Sequence, residues 1–201
     1  MKTHKLEQRS PEWLAMKKGK IGGTRAGMIG MASEVTAIYE ILAEQGMGDV
    51  TEPTYKSAKM EEASEMEVMA YNAYNEQTGI TMNEYGWLES DDNEIVGISP
   101  DGYNPTLKKA IETKCLLAKN HVEVIILNKI PAKYKRQVLH YFVVIEDLES
   151  LDFILYNPYY QTKPLHIITV TREELADEIE QAKAGLVKFL EKLEKYKLKL
   201  K

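Results

Sequence analysis

SPDGYNPTLKKAIETKCL, residues 99–116, is the stretch on which the fold turns. It follows an apolar run, Ile95-Val96-Gly97-Ile98, and places Asp101 just ahead of Gly102. Eleven residues after Asp101 come Glu112, Thr113 and Lys114. Residues two apart on a strand share a face. A strand over 110–116 therefore projects Glu112 and Lys114 together and turns Ile111, Thr113 and Cys115 the other way. Two carboxylates and an ammonium at the ends of paired strands suit a divalent metal beside a scissile phosphate. Pro-Asp-Gly is also ordinary turn chemistry. The same residues read equally as a solvated hairpin whose Glu112 and Lys114 pair at its surface.

The bulk properties narrow the classes. A chain of 201 residues fits a single domain with a sizeable core. An apolar content of 44% and a charged content of 28% are those of a globular protein. No run of signal-peptide or membrane-spanning character is present, and cytoplasmic location is expected. The lone Cys115 excludes an intramolecular disulfide and a four-cysteine zinc or iron–sulphur site. Four histidines (His4, His121, His140, His166) show no ligand spacing. A net charge of −5 argues against a general polyanion binder but leaves room for a nuclease, whose metal site needs carboxylates.

Along the chain, Ser10-Pro11-Glu12-Trp13 has the grammar of a helix start. Lys17 and Lys18 load the end of that helix, and Gly19 closes it. In Lys20-Ile21-Gly22-Gly23-Thr24, Thr24 is placed to cap a second helix over 25–31. A glycine-rich turn with a hydroxyl at a helix N-terminus makes a phosphate pocket, or a plain connection between helices. Residues 33–47 form an amphipathic helix for packing, and 58–78 a longer one ended by Gly79. On the latter, Met60, Ala63, Ala70 and Tyr74 make a stripe whose missing step is Glu67. A carboxylate aimed inward needs a partner or a metal.

Two antiparallel strands are expected over Ile80–Leu88 and Glu94–Ile98, a turn over Tyr103–Lys109, and a third strand over Ala110–Leu116. Two helices broken at Pro131 follow, then strands over Leu151–Tyr156 and Leu165–Val170. Thr171-Arg-Glu-Glu174 is a capping box. It opens a final helix whose last nineteen residues, 183–201, hold seven Lys against two Glu.

Together these make an α/β fold with a mixed central sheet flanked by helices. Glu67, Asp101 and Glu112 form an oxygen ligand set suited to magnesium, with the Thr113 carbonyl as a further oxygen and manganese as a substitute. Lys114 orients the attacking water or offsets transition-state charge.

Asp101…Glu112-Thr113-Lys114 resembles the PD-(D/E)xK nuclease motif. The fuller pattern resembles the lambda-exonuclease or YqaJ-type viral recombinase nucleases. It comprises Arg9-Ser-Pro-Glu-Trp13, Gly19-Lys-Ile21, Met60-Glu…Met66-Glu67, Ser99-Pro-Asp101-Gly102, Glu112-Thr-Lys114-Cys115 and Gln137-Val-Leu-His-Tyr141. The resemblance implies a restriction-endonuclease-like core spanning 1–201 as one nuclease domain with a basic C-terminal helix. It implies a magnesium-dependent 5′→3′ exonuclease on linear duplex DNA ends, phage or prophage encoded and working in a bacterial host. A ring-shaped homotrimer and a single-strand annealing protein as partner are further implications. Gln137 joins the catalytic group, and Lys17, Thr24 and Tyr141 become phosphate or DNA contacts. Lys17 stands where the lambda enzyme usually has an Arg, and a lysine lacks the bidentate fork. The competing readings are an endonuclease of the same fold, used in restriction or repair, and a non-catalytic DNA-end-binding module.

Overall fold

The computed structural model describes residues 1–48 and 58–200, with side chains described from residue 65 onward in the helix that begins at Ala58. Its organising strand is β5 (Lys109–Cys115), which pairs antiparallel with β4 (Gly102–Asn104) and parallel with β6 (Ser150–Tyr156). β7 (Leu165–Thr171) adds antiparallel to β6, giving the order β4-β5-β6-β7. A parallel pair cannot be joined by a hairpin. The crossover from β5 to β6 is carried by α5 (Ala118–Leu127) and α6 (Ala132–Val144), with Pro131 setting the start of the second.

The two faces of this sheet are covered by different helices. Ala110 of β5 and Phe153 and Leu155 of β6 join the core that holds Val138, Tyr141 and Phe142 of α6. Ile111 and Ile154, one residue out of step, face α4 (Ala58–Thr78), which lays Ala70 and Tyr74 on them. Beyond α6, the final helix α7 (Ala176–Leu198) buries Ile179, Phe189 and Leu193 and packs on α6 and α3 (Glu34–Gly46). No helix among the described residues is long and apolar enough to cross a membrane.

A second, smaller sheet is built from β1 (Lys2–His4), β2 (Trp87–Glu89) and β3 (Gly97–Ile98), all antiparallel. The sequence places 80–88, 94–98 and 110–116 as three neighbouring strands, but the structure splits them between two sheets. Ser99-Pro100 carries the chain from one to the other, and the proline has no N–H to continue a ladder. The expected strand over 80–88 shrinks to Trp87–Glu89 for a related reason. The carbonyls of Tyr85 and Gly86 are taken by side chains of the N-terminal segment, Gln8 and Trp13, rather than by a neighbouring strand. Residues 102–104, expected within or beside a turn, form β4. β1 has no counterpart in the sequence reading.

Helix α1 (Pro11–Lys17) starts as its sequence dictates, with the Ser10 hydroxyl accepting the Trp13 amide at 3.2 Å. The second short helix is a correction: α2 spans Gly23–Ala26, with Gly22 rather than Thr24 at its cap. The capping box Thr171/Glu174 forms, with the Thr171 amide 2.9 Å from the Glu174 carboxylate, but α7 begins only at Ala176. The connector expected at 49–53, and Met60 and Ala63 of the α4 stripe, lie outside the described residues and side chains.

Candidate active site

Glu112 is the buried centre of the site, 2% exposed. Strand alternation puts it and Lys114 on the α6 side, and the Lys114 ammonium bonds Glu112 Oε1. Gln137 Nε2 donates to the same oxygen at 2.7 Å, and the Tyr141 hydroxyl donates to Oε2 at 2.6 Å. Gln137 and Tyr141 reach one carboxylate because four residues is close to one helical turn. Burial, then the charges of Glu112 and Asp101, pushes the Tyr141 phenol well above its ordinary value, so it is a proton donor throughout the working pH range. Lys114 also lies over the Tyr134 ring at 5.2 Å. Burial pulls its ammonium down, but Glu112 and Asp101 outweigh this and the net shift is upward, so Lys114 stays charged.

Asp101 sits at the end of β4, where its Oδ2 accepts the Thr113 amide of β5 at 2.6 Å. Its carboxyl is raised well above the usual range by burial and then by the charge of Glu112, with Lys114 offsetting part and Glu67 adding a smaller push. The three acids from α4, the β4 end and β5 thus share one field. Cys115 reports the same field: burial first, then Glu67 and Asp101, holds its thiol up at about 11.

The N-terminal segment clamps this arrangement. Gln8 donates to the Pro100 carbonyl at 2.8 Å, and the Trp13 indole N–H meets Ser99 Oγ at 3.1 Å and the Gly86 carbonyl at 2.7 Å. Arg9, between them, pairs with Glu67. Glu67 is therefore not the buried inward acid that its stripe suggests. Its side chain is 41% exposed at the helix edge and is neutralised by a guanidinium.

The DNA-contact candidates fare differently. Lys17 lies over the Trp13 ring at 3.7 Å, within the field of Asp101 and Arg25. Burial and then Arg25 lower its ammonium to about 8, against an upward pull from Asp101. Thr24 is exposed on α2 and makes no cap bond. Tyr141 is wholly buried beneath Glu112, so it supports a carboxylate and offers no surface to DNA. The glycines ahead of Thr24 serve packing. A Cβ on Gly23 would stand 2.9 Å from Ile98 and 3.1 Å from Gln137, so the absence of a side chain there lets Gln137 reach Glu112. Sequence reading gives no role at the site to Gln8, Arg25 or Tyr134: Gln8 bonds backbone carbonyls 77 and 92 positions away, Arg25 pairs with Glu44 of the next helix, and Tyr134 meets Lys114 through its ring face, which no charge or hydrogen-bond pattern marks.

Among the described residues, no group of three His, Cys, Asp or Glu stands ready to hold a metal ion. The donor chemistry nevertheless fits a hard divalent cation. The acids are oxygen ligands, and the raised Asp101 carboxyl marks a place where added positive charge is favoured. Two protein cations already answer that need, Arg9 on Glu67 and Lys114 on Glu112.

A family model of the YqaJ-like viral recombinase domain matches residues 12–147, which include every one of these groups except Gln8 and Arg9. No curated protein matches the chain. Among solved structures, LHK-Exo in complex with dAMP superposes with a TM-score of 0.78 at 25% identity, covering 95% of this chain and 98% of that one. The alkaline exonuclease LHK-Exo from Laribacter hongkongensis gives 0.77 at 25% identity over the same shares. A phage-related exonuclease from Haemophilus somnus 129PT shares the fold alone, with a TM-score of 0.54 at 17% identity over 88% of this chain and 96% of that one. The two-sheet α/β core is thus restriction-endonuclease-like, and the chain belongs to the YqaJ-like viral recombinase family of nucleases.

Proposed function

We propose that this nuclease is a divalent-metal-dependent DNA exonuclease that digests linear duplex DNA from its ends, 5′→3′, with magnesium as its ion and manganese as a substitute. The observation that carries the reading is the shared field of Asp101, Glu112 and Glu67 beside the charged Lys114. Family membership and the likeness to alkaline exonucleases support it. Glu67, Asp101, Glu112 and the Thr113 carbonyl would hold the ion, which would supply Lewis-acid polarisation of the phosphate and a more acidic bound water.

The protein's own groups do the rest. Gln137 and Tyr141 fix the Glu112 carboxylate from behind. Lys114, still an ammonium, orients the attacking water or offsets the charge that grows on the phosphate oxygens. Lys17 and Thr24, with Arg25 nearby, serve the terminal phosphate of the strand being digested. Tyr141 acts on DNA only through Glu112. A homotrimer would pool the few basic groups around DNA despite the net charge of −5. A single-strand annealing protein would receive the exposed strand in phage-type recombination in the bacterial cytoplasm.

The test is digestion of matched linear and closed circular duplexes with magnesium. The linear form should disappear and the circle persist, and Asp101→Ala should slow digestion roughly a thousandfold. Nicking of the circle would point to an endonuclease. Linear DNA left intact by the wild type would leave only a DNA-end-binding module.

A further inference from the structure

We propose that Arg9 is a DNA-phosphate-binding residue whose guanidinium alternates between Glu67 in the free protein and a strand phosphate once a divalent ion has taken Glu67. This rests on the reading of Glu67 as a metal ligand.

Three observations meet at Arg9. Its backbone is left-handed, with φ 71°, a region that favours glycine and is uncommon for a long side chain. Such an outlier persists where surrounding structure holds it, and it often marks a functional position. Here the holding groups are its neighbours: Gln8 is tied to Tyr85 and Pro100, and the Ser10 hydroxyl caps α1. The outlier therefore aims the guanidinium at the acid cluster from a segment bonded to the residue before Asp101.

The second observation is the partner. Arg9 pairs with Glu67, and both side chains remain open to solvent, 52% and 41% exposed. A half-exposed ion pair is weak and easily exchanged. Glu67 has more to gain from a divalent ion shared with Asp101 than from a single guanidinium. The third is chemistry. A guanidinium carries five donors in a planar fork that matches phosphate, and only Nη2 is committed to Glu67. Displaced from Glu67, it remains beside the site as a cation with its donors available. Lys114, paired with Glu112, is 23% exposed, against 52% for Arg9, so the guanidinium is the more accessible of the two cations paired with the acid cluster.

The exchange makes DNA affinity depend on metal through Arg9. The probe is a short fluorescein-labelled duplex with cleavage-resistant phosphorothioate linkages, titrated by anisotropy in EDTA and in magnesium over a salt series. The variants are Arg9→Gly, which suits the positive φ and so preserves folding, and Arg9→Lys, which keeps the charge. In magnesium, Arg9→Gly should bind about tenfold more weakly and lose about one unit of salt slope. In EDTA the difference should shrink to less than threefold, and Arg9→Lys should keep most of the slope. Equal binding by wild type and Arg9→Gly in magnesium overturns the proposal, and so does an equal loss in both buffers. Calorimetric magnesium titration of DNA-free Glu67→Gln separates the underlying reading: unchanged metal affinity sinks Glu67 as a ligand, whatever Arg9 does.

Discussion

The Tyr141 hydroxyl and Glu112 Oε2 lie 2.6 Å apart, both inside the protein. The phenol is the only described donor to that oxygen, since Lys114 and Gln137 both use Oε1. Tyr141→Phe keeps the packing and strands one lone-pair set of a buried carboxylate. The expected cost is about 1–3 kcal/mol of stability, read by urea unfolding. A turnover loss of roughly tenfold or more should accompany it, since a freed carboxylate no longer holds one orientation. Unchanged turnover would mean that Lys114 and Gln137 suffice.

A second buried carboxylate lies on the opposite face. Asp152 accepts from Tyr74 at 2.7 Å, Lys109 at 2.8 Å and Thr169 at 2.7 Å, which fastens α4 to the sheet. Asp152→Ala leaves the Lys109 ammonium without its partner in a part-buried site and should destabilise by about 3–5 kcal/mol. Asp152→Asn keeps one acceptor oxygen, for either Tyr74 or Thr169, and places an NH2 donor where the other oxygen stood. It leaves fewer polar groups unpaired than Asp152→Ala and should cost less. Thermal unfolding of the two variants checks the order.

His140 adds a contribution to acid sensitivity, beside those of Glu34, Glu44 and Glu89, whose carboxyls are held below their ordinary value. Its Nε2 faces the Gly97 carbonyl at 3.0 Å, so that nitrogen carries the proton of a neutral ring. Burial lowers the folded-state value to about 4, below the ordinary 6.5. The unfolded chain therefore takes up the proton first, so this ring's contribution to stability is complete above pH 6.5 and is lost as pH drops toward 4. The loss attributable to this ring is about 3 kcal/mol by pH 4. His140→Gln should show a correspondingly flatter stability profile between pH 7 and 4. Parallel profiles for the two proteins would clear His140 of this role.

Gly23 should tolerate little. A methyl there meets Ile98 and the Gln137 side chain. Gly23→Ala should cost about 1–3 kcal/mol and lower turnover several-fold by moving Gln137 off Glu112. Added to Gln137→Ala, it should lower turnover no further, because residues sharing one contact are not additive.

The fold class was legible in the sequence, and so was which side chains of the candidate site meet; the layout of the strands around them was less so. Alternation along 110–116 is enough to place Glu112 beside Lys114, and helical spacing is enough to bring Gln137 and Tyr141 to one face; the structure agrees on both. Periodicity reports a direction, however, and not the depth at which a side chain ends. Glu67 lies on its stripe yet meets solvent and Arg9, and Tyr141 lies deeper than a DNA contact can. The pattern over 80–88 reads as a strand, but most of its residues run as an irregular segment in which the Tyr85 and Gly86 carbonyls are taken by Gln8 and Trp13. Those bonds span 77 and 73 positions, and no window along the sequence contains both ends.

The alternation of β5 has one more consequence. Helix α6 reads the even positions and α4 the odd ones, so a slip of one residue against β6 would bury Ile111 where Glu112 belongs and turn Glu112 toward Tyr74. The same shift that wrecks the hydrophobic contacts removes the carboxylate from Tyr141, Gln137 and Lys114. Correct pairing thus assembles fold and site in one step: a chain paired out of register would carry the residues of the site without their geometry.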